Sequence, residues 1–194
     1  ELALPTWVVE YCQEHFVGGV AELKTAVVWS TLDRFKWKKI QVASYNYKDH
    51  LGVTYAGWMG VAKLYVQGEL VEPVDVLFTT PGHRYYDIDG APRAEPLLRQ
   101  VIPIADENGV RHDVTLRVSK LSMDAVNAAV STGSRGAPPK VRQKIRMAYN
   151  GVFVTRNGRF IEVAVPKHLF GAWNAYMRQV AIHLDFPPAL DDIF

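Results

Sequence analysis

The side chains that most clearly suggest a chemical role are seven basic residues in a stretch of sequence that contains no acidic residue. Between Asp124 and Glu162 there is no Asp or Glu, although the 194-residue chain has a net charge of only +2. The remainder of the chain is therefore net acidic. Local charge of this kind predicts an anionic partner more directly than the overall charge does. The seven are Arg135, Lys140, Arg142, Lys144, Arg146, Arg156 and Arg159.

Six of these cations fall into a helix and a hairpin. In "KVRQKIRM" the pairs Lys140/Lys144 and Arg142/Arg146 have i,i+4 spacing, which predicts a positive stripe along a helix. In "GVFVTRNGRFIEV" the Asn157-Gly158 pair predicts a two-residue hairpin turn that sets Arg156 opposite Arg159. Facing like charges destabilise a strand pair, so an anion is expected nearby.

Phosphate groups of a nucleic acid are one anion that would suit such a surface, because each neutralised phosphate releases counterions. The predicted nucleic-acid-binding residues are thus Lys140, Arg142, Lys144, Arg146, Arg156 and Arg159. Two other interpretations stay open. The six side chains could be solvated at the surface, or they could pair with the acidic remainder of the molecule.

Enzymatic signatures are scarce in this sequence. It has no phosphate-binding GxxxxGK[ST] loop, no GxGxxG fingerprint and no GxSxG nucleophile turn. The most enzyme-like stretch is "HRYYDIDG", where His83, Asp87 and Asp89 could serve a small hydrolase. Aspartates in such a loop also make turns that bond their own backbone. No two histidines have i,i+4 ligand spacing, and Cys12 is the single cysteine, so we expect neither a metal site nor a disulfide.

Periodicity and turn residues predict an α+β fold with a largely antiparallel sheet and helices on one face. Val141, Ile145 and Ala148 are expected to face inward from the basic helix. The predicted elements are a helix over residues 5–16, a strand over 25–30, a helical segment over 35–60 broken near 50–52, a hairpin around Gln67–Glu69, a loop over 79–96, a hairpin of 98–105 with 110–121, a helical turn in "MDAVNAAV", the basic helix, the Asn157-Gly158 hairpin, a strand over 175–186 and a helix start in "PPALDDIF".

Several stretches, in this order, resemble one family. They are "TAVVWSTLDRFKWKK", "DHLGVTYAGWM" with "GELVEPVDVLF", "NGVFVTRNGRFIEV" and "RQVAIHLDFPPALDDIF". Together they resemble the transducer (C-terminal) region of GHKL-type ATPases of the microrchidia (MORC)-like kind, in the superfamily of histidine kinase, gyrase B and Hsp ATPases. The resemblance covers residues 23–194 and is weak over 79–97 and 122–148. It implies a transducer-like βαβ fold that couples ATP binding elsewhere to movement.

The motifs of the ATP-binding half of that family are missing from this sequence. Lys24 stands where a lid glycine would precede Thr25, and Lys167 matches the γ-phosphate-sensing lysine poorly by motif. That lysine is expected just after the Leu-Asp-Asp-x-Phe segment, beyond Phe194. The resemblance implies no cofactor in this chain, and ATP with Mg²⁺ in a longer parent protein. It makes the parent an ATPase and this chain alone not an enzyme.

The organisation implied is a helical lead-in, residues 1–20, from a missing upstream domain, and a transducer-like domain over 21–194. The chain begins with Glu1 rather than Met, which favours a piece of a longer protein. Expected partners are the upstream ATP-binding domain, duplex DNA and a second copy reached through the parent. No sequence stretch predicts a membrane span or secretory signal, so a cytoplasmic location is expected. The alternatives are a stand-alone nucleic-acid-binding α+β domain and the small hydrolase.

Overall fold

A five-stranded sheet in the second half of the chain organises this protein. The computed structural model describes residues 4–22, 37, 39–130, 140–166 and 175–194. Within these residues the four α-helices are α1 (Thr6–His15), α2 (Ile40–Thr54), α3 (Met123–Asn127) and α4 (Val141–Ala148). The strands are β1 (Tyr65–Val66), β2 (Glu69–Leu70), β3 (Glu95–Ala105), β4 (Arg111–Lys120), β5 (Val152–Arg156), β6 (Arg159–Ala164) and β7 (Val180–Phe186). Short 3₁₀ helices span Gly19–Glu22, Ala56–Trp58, Ala175–Gln179 and Pro188–Leu190.

The strand order in the large sheet is β3-β4-β7-β5-β6, and β1 with β2 forms a separate two-stranded hairpin. Every neighbouring pair is antiparallel except β5 with β7. The predicted α+β class with a largely antiparallel, mixed sheet is therefore confirmed. The connection between the two parallel strands contains β6, residues 167–174 outside the described part, and the 3₁₀ helix Ala175–Gln179.

Turn chemistry fixed both hairpins of this sheet at the predicted places. In the β5–β6 hairpin Arg156 is directly opposite Arg159, and the turn residues Asn157 and Gly158 have φ of 50° and 77°. Positive φ at both positions is the requirement of a type I′ turn, which asparagine and glycine tolerate. In the β3–β4 hairpin Ile102 is directly opposite Val114, so the two side chains lie on the same face of the sheet.

The predicted break in the second helix is wrong. Instead of ending near residues 50–52, α2 continues through Gly52 to Thr54. The glycine serves packing here, because a Cβ on Gly52 would lie 2.6 Å from the backbone oxygen of Glu72. The Gly52 carbonyl in turn accepts a hydrogen bond of 2.9 Å from the amide of Val74. Gly52 therefore lets the following loop lie directly against the helix.

Two other predicted strands have different outcomes. The strand expected over 175–186 begins only at Val180, after the 3₁₀ helix Ala175–Gln179. The strand expected over 25–30, like Lys24 and Lys167, lies outside the described residues. The helix start expected in "PPALDDIF" is confirmed as the short helix Pro188–Leu190.

One face of the sheet carries most of the core. Ala181 of β7 and Phe153 of β5 are buried there. They pack with α2 through Val53, with α3 through Val126, and with the loop after β2 through Val76, Leu77 and Phe78. The predicted placement of helices on one face is therefore confirmed for α2 and α3.

The opposite face is covered more lightly within the described part of the chain. Its buried side chains are Val114, Val154 and Phe186, and Leu190 of the last 3₁₀ helix packs onto them. The ring of Phe194 stacks on Phe186 with 4.7 Å between centroids. The last eight residues of the chain therefore serve as a cover for this face of the sheet. Among all described residues, no helix has both the length and the apolar character needed to cross a bilayer.

A buried carboxylate, Asp75, organises the loop between β2 and β3. Its Oδ1 accepts a hydrogen bond from the amide of Leu77, and its Oδ2 accepts from the amides and hydroxyls of Thr79 and Thr80. The Arg117 guanidinium of β4 lies 3.4 Å from Oδ2. Burial alone would raise the pKa of Asp75, but these donors outweigh it and hold the pKa below its usual value.

His183 lies next to Arg117 in the same row of the sheet. The Thr155 hydroxyl donates to the Asp185 carboxylate at 2.5 Å, so its oxygen is left to accept from His183 Nε2–H at 2.7 Å. A neutral ring with its proton on Nε2 is sufficient for this pattern. Burial, reinforced by the Arg117 guanidinium, lowers the pKa of His183 to about 4 from its usual 6.5, although Asp75 and Asp185 oppose the shift.

We therefore expect the protein to lose stability on mild acidification. Because the folded pKa of His183 lies below the unfolded one, its contribution is complete above pH 6.5 and is lost as the pH falls towards 4. The loss should approach about 3 kcal/mol in the free energy of unfolding, measured by urea titration across this range.

His183→Gln, which cannot be protonated, should flatten that pH profile. The matched control is His50→Gln at an exposed position of α2, which should leave the slope unchanged. A residual slope from His83 is expected in both variants, because burial lowers the pKa of that ring as well. Equal slopes in the two variants would contradict a neutral, buried His183.

Candidate functional site

The tip of the β5–β6 hairpin is the point where three separate parts of the chain meet. Gly57 and Trp58, after α2, approach it from one side, and the end of β7 holds it from another. The C-terminal segment reaches it through Asp191. We call this the hairpin-tip junction, formed by Gly57, Trp58, Arg156, Asn157, Gly158, Asp185, Phe186 and Asp191.

The contact with the segment after α2 is made by two glycines. A Cβ on Gly57 would lie 2.8 Å from both the Cα and the carbonyl oxygen of Gly158. No side chain fits in this space without moving the backbone. Beside it, Trp58 Nε1 donates a hydrogen bond of 2.8 Å to the carbonyl of Asn157. Close approach and a directional bond together fix the 3₁₀ helix Ala56–Trp58 against the turn.

The contact with β7 uses both backbone amides of the turn. The amide of Gly158 donates to Asp185 Oδ1 at 2.8 Å, and the amide of Asn157 donates to the carbonyl of Phe186 at 2.8 Å. Since Asp185 also accepts from the Thr155 hydroxyl, one carboxylate ties together the strand and its turn. The tip is consequently fastened to the last strand of the sheet.

The contact with the C-terminal segment explains how the hairpin tolerates two facing arginines. The Arg156 guanidinium makes a two-pronged ion pair with Asp191, with Nε and Nη2 at 2.6 and 2.5 Å from the two carboxylate oxygens. The hydrogen bonding that Arg156 donates to Asp191 raises the pKa of Arg156. Arg159 lies instead over the ring of Tyr55, 5.8 Å from its centroid. An acid within the chain therefore neutralises one arginine of the pair.

The basic helix α4 does not present the predicted stripe to solvent. Arg142 and Arg146 expose 0% of their surface. Arg142 donates to the carbonyls of Tyr85, Pro92 and Tyr86 at 2.9, 2.9 and 2.7 Å. Among the described residues it has no carboxylate within ion-pair distance, so its partners there are backbone groups. From inside the protein, this arginine supplies hydrogen-bond donors to three backbone carbonyls of the loop between β2 and β3.

Arg146 has a similar environment. It donates to the carbonyls of Arg178, Tyr149 and Val180 at 3.3, 3.3 and 2.7 Å. Burial lowers its pKa from 12.5 to about 10. The helix is thus rotated relative to the predicted face. Val141 is buried as expected, but Ala148 is exposed and Ile145 only partly buried, because the two arginines take the inner positions.

The six predicted cations therefore lie in three different environments. Arg142 and Arg146 are internal, and Arg156 is paired at the junction. Lys144 is exposed but lies 3.3 Å from Asp49 of α2 and over the ring of Tyr45. Lys140 is exposed at the start of α4, and Arg159 is exposed at the hairpin tip. A single continuous basic surface made of all six does not form. Whether the exposed ones bind a nucleic acid remains a prediction.

The loop proposed for a hydrolase is not assembled as a catalytic set. Asp87 makes a two-pronged ion pair with Arg93, both distances being 2.8 Å. His83 is partly buried and lies in the electrostatic field of Asp75 and Arg117, and burial lowers its pKa. Asp89 is exposed. The described residues also contain no group of three or more His, Cys, Asp or Glu side chains placed to hold a metal ion.

We expect Arg142→Lys to destabilise the protein by about 2–4 kcal/mol, measured by urea unfolding. A lysine ammonium cannot reach three carbonyls set around a planar guanidinium, and each buried acceptor left unpaired costs about 1–3 kcal/mol. Lys144→Arg on the exposed side of the same helix should change stability by less than about 0.5 kcal/mol. Similar stabilities for the two variants would contradict the buried position of Arg142.

Comparisons of this chain with models of protein families, with curated proteins and with solved structures found no match. The resemblance to the transducer region of GHKL-type ATPases therefore depends on the sequence motifs alone. What the protein does has to be inferred from those motifs and from the geometry of the hairpin-tip junction.

Proposed function

We propose that this chain is the transducer module of a GHKL-type ATPase, which relays the nucleotide state of an upstream domain to a conformational change. One observation carries the proposal. Three of the motifs that resemble the family, "DHLGVTYAGWM", "NGVFVTRNGRFIEV" and "RQVAIHLDFPPALDDIF", are far apart in sequence but contact one another at the hairpin-tip junction. Their residue types are those that the contacts require, including Gly57, Gly158 and Asp185.

The contacts of the C-terminal segment support a mechanical role. In the resemblance, the lysine that senses the γ-phosphate follows the segment that ends at Phe194. This segment is bound to the hairpin tip by the Arg156–Asp191 pair and to the sheet by Leu190 and Phe194. A pull on it would act on the turn, and through Trp58 on α2. A packed set of contacts of this kind transmits displacement rather than absorbing it.

Nucleotide chemistry belongs to the upstream domain in this proposal. ATP and Mg²⁺ would bind there, and the described part of this chain offers no ready set of Mg²⁺ ligands. We therefore derive no catalytic step within this chain. A second copy brought in through the parent protein and a cytoplasmic location are parts of the same proposal. Duplex DNA could be contacted by the exposed Lys140, Lys144 and Arg159.

The two alternatives are supported less well by the geometry. A small hydrolase would need His83 to work with Asp87 or Asp89, but Asp87 is bound to Arg93. A stand-alone nucleic-acid-binding domain would draw its affinity from several exposed cations, yet two of the six are fully buried. A loss of DNA binding in variants of Arg142 or Arg146 would report misfolding rather than a lost phosphate contact.

The test uses the native gene product isolated from its source cells. It should hydrolyse ATP, and Asp191→Asn should lower turnover by about tenfold or more while nucleotide affinity stays within about twofold. This pattern is expected because the variant breaks the link between the C-terminal segment and the hairpin tip without touching the nucleotide.

The matched control is Arg93→Gln, which breaks a second two-pronged exposed ion pair, Arg93–Asp87. It should leave ATP turnover near that of the unsubstituted protein. A native product without ATP turnover would refute the proposal, as would equal losses of turnover in Asp191→Asn and Arg93→Gln.

A further inference from the structure

A groove of about 340 Å³ lies beside the hairpin-tip junction. Its lining comes from the segment after α2, from the β5–β6 turn and from the C-terminal segment. Most of this lining is apolar, and Tyr55, Trp58, Leu64 and Pro188 form part of it. Arg156 and Arg159 are its charged residues. The groove was not indicated by any contiguous motif, because residues more than a hundred positions apart build it.

The groove continues into exposed apolar surface. Trp58 is 43% exposed although its indole nitrogen is already bonded to Asn157. The indole ring, rather than a free polar group, is therefore what Trp58 presents to a partner. Val61, close by in sequence, is 81% exposed. Large exposed aromatic and aliphatic side chains around a concavity are typical of interaction sites, where one buried anchor contributes most of the affinity.

The charge of the groove is unbalanced. Arg156 is neutralised by Asp191. Arg159 is exposed, lies over the Tyr55 ring and has no acidic partner within 4 Å among the described residues. An apolar groove with one uncompensated guanidinium complements a ligand that carries a bulky apolar group beside a carboxylate.

We propose that this groove docks an acidic peptide segment of a partner protein. A bulky apolar side chain of the segment enters the groove against Trp58 and Leu64, and a neighbouring Asp or Glu pairs with Arg159. This inference does not depend on the transducer function, because it uses only the groove and its charge.

A single-stranded nucleic acid fits these observations less well. Such binding needs a row of cations that follows the phosphates, in addition to rings on which bases stack. Here one guanidinium is uncompensated, and Lys140 and Lys144 are on α4 rather than in the lining of the groove. A small apolar floor with a single cation suits a peptide anchor better.

The experiment measures binding of three fluorescent probes to this chain by anisotropy. The first probe is a pool of short synthetic peptides with a central Leu, Phe or Trp flanked by Asp and Glu. The second pool has Lys and Arg in place of the acids, and the third probe is a single-stranded oligonucleotide. We expect the acidic pool to bind. Its binding should perturb tryptophan fluorescence in the unsubstituted chain but not in the Trp58→Phe variant.

The arginine variants decide the role of charge. Arg159→Ala should weaken binding of the acidic pool by about tenfold, and Arg159→Glu should switch the preference towards the basic pool. The matched control is Arg99→Ala, at an exposed arginine of β3, which should bind the acidic pool as tightly as the unsubstituted chain does.

Four results would each overturn the proposal. They are absence of binding by the acidic pool, equal binding of the two peptide pools, equal effects of Arg159→Ala and Arg99→Ala, and preferential binding of the oligonucleotide that Arg159→Ala abolishes. The last result would assign the groove to a nucleic acid instead. None of these outcomes bears on ATP turnover by the native product, so failure here and failure of the proposed function can be told apart.

Discussion

The contact between Gly57 and Gly158 is the constraint on which the arrangement of this molecule depends. Two backbones approach so closely that a single methyl group on Gly57 would collide with the opposite chain. This contact allows Trp58 to reach Asn157, and the same turn is held from behind by Asp185 and Phe186. The helical layer, the sheet and the C-terminal segment are thereby joined at one turn, beside the groove.

Two buried charged side chains, Asp75 and Arg142, hold the loop between β2 and β3 in place. The loop between β2 and β3 has little regular structure, so its backbone groups need other partners. Asp75 accepts hydrogen bonds from its amides, and Arg142 donates to its carbonyls. The Asp75 carboxylate and the Arg142 guanidinium thus supply the hydrogen bonds that a neighbouring strand would otherwise provide. This explains why Arg142 lies inside the protein. Arg146 is held there by carbonyls of other segments.

Local chemistry made part of this structure predictable. The Asn157-Gly158 turn specifies its own φ angles, so the hairpins and the fold class follow from sequence. The apolar alternation in β4 places Val114 on a buried face, but that face is the lightly covered one. Ser119 of β4 faces the main core instead, opposite Ala181. Arg142 and Arg146 could not be placed, because their partners are backbone carbonyls that any sequence supplies. The sequence alone predicts a helix break near Gly52 because the residue it packs against, Glu72, is twenty positions away in the sequence. The Arg156–Asp191 pair and the groove likewise depend on tertiary proximity alone.

Amide hydrogen exchange at the turn tests most directly whether the hairpin tip holds three elements together. The comparison is between Gly57→Ala, which drives a methyl into Gly158, and Gly60→Ala, whose methyl would meet nothing within 4 Å. Overpacking typically costs about 1–3 kcal/mol, so the amides of Asn157 and Gly158 should exchange about tenfold faster or more in Gly57→Ala. They should be unchanged in Gly60→Ala. Equal protection in both variants would contradict the junction.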